Sequence, residues 1–145
     1  CLSIAMNNQP KLALIVAQPG PLRNSLFSLL ATMPQLNLVA ESKDLASLAH
    51  MAAQIQPNIV LIEAGFGQER LAESVLTIKA TWAVSPTNVL VDDPRQKWEA
   101  EQAGADVVLF KGVRAAKLIE LVEILLQKEP SFNRTPSPSK ITLAN

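Results

Sequence analysis

Five short apolar runs recur along the chain about 20–25 residues apart, close to the length of one βα unit. They are Leu12–Ala17, Leu36–Ala40, Ile59–Glu63, Asn88–Asp92 and Asp106–Phe110. Three are near-continuous Val/Ile/Leu runs, the form of parallel strands buried on both faces. The second is shorter and partly alternating, which suits an edge strand. Between the runs, apolar residues fall at helical spacing. Leu22, Leu26, Leu29 and Met33 mark one stripe, opening at Gly20-Pro21, where proline suits a first helical turn. Leu45, Leu48, Ala52 and Ile55 mark a second, with Ser42 or Asp44 as its cap, and Leu71, Val75, Ile78 and Trp82 a third. The fourth, from Pro94 to Ala103, is polar around Trp98 and ends at Gly104. The last runs from Arg114 to Gln127 with Leu118, Val122, Leu125 and Leu126 facing inward. The order βαβαβαβαβα predicts an α/β fold with a doubly wound parallel sheet, strand order 2-1-3-4-5, right-handed crossovers and helices on both faces. Chemistry in such a sheet belongs at the carboxyl ends of its strands, here Ala17-Gln18, Glu63, the Asp92 region and Lys111.

Composition narrows what those strand ends can do. A chain of 145 residues is one domain, and 13 basic residues balance 13 acidic ones, so there is no basic stripe for nucleic acid. One cysteine (Cys1) and one histidine (His50) cannot assemble a zinc site, and they leave little for a thiol or Ser-His hydrolase. His50 has no evident partner and is expected at the surface. A lone cysteine rules out an internal disulfide and suits a reducing compartment. No apolar run reaches the ~18–20 residues of a membrane span and no secretory signal opens the chain, so a cytoplasmic location is expected. The expected boundaries are an extension at 1–10, a domain at 11–127 and a Pro/Ser-rich linker at 128–145 leading to an output domain absent from this chain.

Several phrases resemble receiver domains of bacterial two-component response regulators, over about Lys11 to Gln127. Ala103-Gly104-Ala105-Asp106-Val107-Val108-Leu109-Phe110-Lys111 is similar to the family's Ala-Gly-Ala-Asp run that ends in its lysine. Gln56-Pro57-Asn58-Ile59-Val60-Leu61-Ile62-Glu63 resembles the strand leading to the phospho-accepting aspartate. Leu22-Arg23-Asn24-Ser25-Leu26 and Leu36 to Ser42 match the branch whose receivers precede helix-turn-helix output domains. The resemblance implies a flavodoxin-like (βα)5 fold.

The resemblance also implies a site, and this sequence departs from it. An aspartate accepts the phosphoryl group, Mg²⁺ on carboxylates neutralises the charge, and a hydroxyl and a lysine hold the phosphoryl oxygens. The acidic pair falls on Ala17 and Gln18, and the acceptor on Glu63, whose extra methylene adds about 1.5 Å of reach. The hydroxyl position reads as Asp92, or as Val89 without a gap. Val108 stands at the switch aromatic and Gly112 where proline usually follows. Lys111 alone survives, so phosphotransfer, bound metal and cofactor are not expected.

Glu63 and Lys111 are expected at the ends of neighbouring strands. Their plain reading is an ion pair filling a vestigial pocket; the sharper one has Glu63 imitating a phosphorylated aspartate, with one negative charge against about two. Asp92-Asp93 reads as a helix start, or with Glu63 as a displaced metal site. Trp98 by default packs on the sheet; exposed, with Lys97 and Glu101, it marks a partner surface. In the family, the face of the fourth helix, fifth strand and fifth helix commonly makes dimers. Arg114 and Lys117 belong to a solvated face.

The leading expectation is a non-enzymatic, phosphorylation-independent receiver, the regulatory part of a transcriptional regulator, working through a protein partner or homodimer on that face, with DNA reached only through an output domain. A flavodoxin-like small-ligand or cofactor-binding domain is the alternative, although Gln18-Pro19-Gly20-Pro21 offers few backbone donors to a phosphate. A metal-dependent phosphatase built on Glu63, Asp92 and Asp93 lacks a general base and ranks last.

Overall fold

Apolar runs and helical stripes alternate into ten elements in a computed structural model, which describes residues 11–36, 38–42, 45–52, 54–65 and 70–127. The strands are β1 (Leu12–Val16), β2 (Leu38–Ser42), β3 (Ile59–Glu63), β4 (Thr87–Val91) and β5 (Val107–Phe110). The helices are α1 (Pro21–Ala31), α2 (Leu45–Ala52), α3 (Leu71–Thr81), α4 (Pro94–Gln102) and α5 (Ala115–Gln127). All strand pairings are parallel, in the order β2-β1-β3-β4-β5, as the alternation predicted. Cys1, the 1–10 extension, Asp44 and the 128–145 segment lie outside the described residues.

Side chains of each strand alternate between two apolar layers. Leu14, Val16, Val60, Ile62, Val89 and Val91 meet Leu48 of α2, Val75 and Ile78 of α3, Trp82, and Ala100 of α4. Ala13, Ile15, Ile59, Leu61 and Leu90 meet Leu26 and Leu30 of α1 and Leu118, Val122, Leu125 and Leu126 of α5. Strands clad on both faces need apolar residues at every position, which is why β1, β3 and β4 read as unbroken runs.

Several sequence boundaries shift, for identifiable reasons. β2 is an edge strand but begins two residues later than expected: Leu38 to Ser42 register against Leu12 to Val16. Leu36 is apolar because it plugs the second layer from the α1–β2 turn, where its N–H donates to Met33. Ser42 is therefore a buried strand residue. β4 starts one residue earlier, so Asp92 follows the strand. Met33 and Ile55 lie beyond their helices, in the closing turns. Ala52 is exposed, whereas Met51 packs inward.

The third stripe stands as expected: Leu71, Val75 and Ile78 are buried on α3, and Trp82 follows as its cap residue, its indole N–H donating to Ile55 O at 3.0 Å. Gly104 takes φ +104° just past α4, a left-handed conformation that glycine adopts without a Cβ penalty. One core residue conflicts with its surroundings. Asn88 of β4 is fully buried, registers between Leu61 and Val107, and neither atom of its amide has a partner.

Candidate functional site

The strand order changes direction between β1 and β3, so the crevice lies above their carboxyl ends. Glu63 closes β3 there, and Lys111 follows β5, its backbone N–H donating to Val91 O of β4 at 2.9 Å. The two are not on neighbouring strands, because β4 lies between β3 and β5. Lysine bridges the gap with its long stem. Its ammonium donates to Ala64 O at 2.9 Å, and it lies 3.1 Å from Asp92 Oδ2 and 3.4 Å from Glu63 Oε2. The expected Glu63–Lys111 pair is thus one arm of a junction that Asp92 completes.

Gln18 closes the other side. Its backbone N–H donates to Glu63 Oε1 at 3.2 Å, and its side-chain amide donates to Gly65 O at 3.2 Å. Gly65 adopts φ +93°, so the β3–α3 turn needs glycine's freedom where Gln18 holds it. Ala17 does not reach the crevice; it is fully buried in the α1/α5 layer. Val89 is equally remote, buried in the opposite layer between Ile62 and Val108. Of the two hydroxyl-position readings, only Asp92 meets Lys111.

The acidic pair Asp92-Asp93 divides its work. Asp93 is the N-cap of α4, its Oδ1 accepting the Gln96 N–H at 2.9 Å, while Asp92's N–H donates to Gln96 Oε1 at 2.6 Å. Asp92's carboxylate instead turns to Lys111. The displaced metal site fails on this geometry, since Asp93 faces its own helix. Mg²⁺ at the family's position does not fit either. It favours carboxylate oxygens in near-octahedral array, whereas an ammonium sits between the two carboxylates and Ala17 and Gln18 add no further carboxylate. Among the described residues no three His, Cys, Asp or Glu side chains gather as a metal group.

Trp98 does not pack on the sheet. It is 61% exposed on α4, where Ala100 is the only buried residue and Lys97 pairs with Glu101 at 3.0 Å. Phe110, at the end of the edge strand β5, is also exposed. His50 is exposed, as are Arg114 and Lys117, the latter 3.8 Å from Glu120. Sequence reading missed the part played by Gln18, which it treated only as a lost acid. Its amide side chain beside a glycine turn was the available signal.

Solved structures of response-regulator receiver domains share this doubly wound five-stranded fold. A CheY-like receiver domain from Methanospirillum hungatei JF-1 superposes with a TM-score of 0.71 at 16% identity, over 81% of this chain and 94% of that one. The receiver domain of a Pseudomonas aeruginosa PAO1 sensor histidine kinase, with magnesium coordinated in its active-site cleft, gives 0.71 at 15% identity, over 83% and 100%. The Salmonella typhimurium response regulator RcsB gives 0.68 at 13% identity, over 90% of this chain and 65% of that one. At these identities the likeness is one of fold. No protein-family model matches the sequence, and no curated protein does. No described helix is long and apolar enough to cross a membrane.

Proposed function

We propose that this chain is an atypical response-regulator receiver domain that signals by binding a protein partner, without phosphorylation. The observation that carries this reading is the Lys111 ammonium held between Glu63 and Asp92, where phosphotransfer chemistry would need a metal and a free acceptor. Glu63 is further held by the Gln18 N–H, so it fills the pocket as an ion-pair partner rather than as a nucleophile. The domain is a binding module, not an enzyme. Its contact face is α4 with β5 and α5, centred on exposed Trp98 and rimmed by Lys97 and Glu101, and it takes a protein partner or a second copy of the chain. The fold neighbours include a LuxR-family DNA-binding response regulator from Silicibacter pomeroyi, which supports a regulatory part in transcription, with DNA reached through a separate output domain in the cytoplasm.

The test is incubation of the chain with acetyl phosphate and Mg²⁺, followed by intact mass measurement, and separately with beryllofluoride and Mg²⁺ by amide NMR. The expected result is an unchanged mass and unmoved signals at Glu63, Asp92 and Lys111. A phosphoryl adduct on Glu63 would overturn the reading.

A further inference from the structure

Lys111 joins several elements through its ammonium and its backbone N–H. It touches the end of β3 through Ala64 O and Glu63, and its own backbone holds β5 to β4. Through Asp92 it reaches the residue just before the α4 cap, and Gln96 ties that residue into the first helical turn. The two carboxylate arms differ in exposure: the Glu63 side chain is 18% exposed and Asp92 54%. Of the side chains on α4 itself, only Ala100 is buried.

We infer that the Lys111–Asp92 contact is a salt-sensitive clasp on the first turn of α4, and that the Asp92 arm is the one that opens. The inference rests on the reading of α4 as the contact face, because opening the clasp loosens the helix that presents Trp98. Exposed ion pairs contribute little and are screened, whereas less accessible ones are screened far less. Mobile ions, or a charged group on a docking partner, therefore act first on Asp92 while Glu63 keeps Lys111 in place.

Amide hydrogen exchange on the whole chain reads this directly, with α5 amides as the internal reference. Raising NaCl from about 0.05 M to about 1 M shortens the screening length from roughly 14 Å to 3 Å. In the unaltered chain, exchange at amides 97–103 should then rise about two- to five-fold, the range an exposed pair supports. Asp92→Ala, which retains the backbone bond to Gln96 and the Asp93 cap, should raise the same amides equally at low salt. Added salt should then change them no further. Salt-independent exchange of α4 in the unaltered chain overturns the clasp without needing any variant, as does a rise shared equally by α5. Neither result involves phosphate, so failure here is distinct from phosphorylation of Glu63, which would overturn the receiver reading instead.

Discussion

The two ends of the sheet each carry a lysine bridging a carboxylate and a backbone carbonyl, and they use it differently. At the amino end, Lys79 of α3 binds Asp106 Oδ2 at 2.8 Å and Ser85 O at 3.4 Å. The same Asp106 oxygen accepts the N–H of fully buried Thr87 at 2.8 Å. Ser85 donates its hydroxyl to Pro57 O at 2.6 Å and accepts the Gln56 side-chain amide at 2.9 Å, while the Trp82 indole closes on Ile55. At the carboxyl end, Lys111 meets Glu63 and Asp92, and neither carboxylate satisfies a buried strand amide. The amino end completes hydrogen bonds the backbone would otherwise lack, so its charges belong to folding. At the carboxyl end the two carboxylates meet an ammonium and one exposed backbone N–H, groups that water could also satisfy, so those charges contribute less to folding.

Five experiments break or sharpen that contrast. Trp82→Ala removes a buried ring together with its bond to Ile55, and should cost about 3–5 kcal/mol in urea unfolding. Asp106→Ala should cost about 1–3 kcal/mol, because it strands the Thr87 N–H in the interior. Asn88→Leu tests whether polar groups near the amino end always help. Both atoms of this amide are unpartnered, so the near-isosteric apolar side chain should stabilise the fold by about 1–3 kcal/mol. Glu63→Gln and Lys111→Met should each cost no more than about 1 kcal/mol, in keeping with a partly exposed pair. A loss at Glu63 as large as that at Asp106 would erase the distinction between the ends. Trp98→Ala should be near neutral in stability, within about 0.5 kcal/mol, yet reduce self-association or partner capture as read by sedimentation.

The site was legible in part. Lys111 and Glu63 were found because a resemblance marks their positions, and Asp92 because it was one of two gap choices. What no residue pattern could supply was the choice between Asp92 and Val89, since that turns on whether residue 92 belongs to β4 or to the turn after it. The pairing of Val91 with Phe110 ends the strand and leaves Asp92 outside it. The resemblance puts Ala17 in the crevice, but strand alternation sends it into the α1/α5 layer.

By itself the sequence determined the ten alternating elements, the strand order and the inward faces of α3 and α5. The elements and their inward faces follow from local periodicity, which burial on two faces of a sheet enforces residue by residue, and the strand order from the right-handed crossovers of a doubly wound sheet. Only the tertiary structure decided that Trp98 faces solvent, that Leu36 plugs a turn rather than opening a strand, and that one ammonium holds two carboxylates across β4. Each depends on distances between segments far apart in the chain. A polar helix with a single tryptophan has the same pattern whether the ring lies under it or beside it. The reach of a lysine across an intervening strand is a property of the assembled sheet alone.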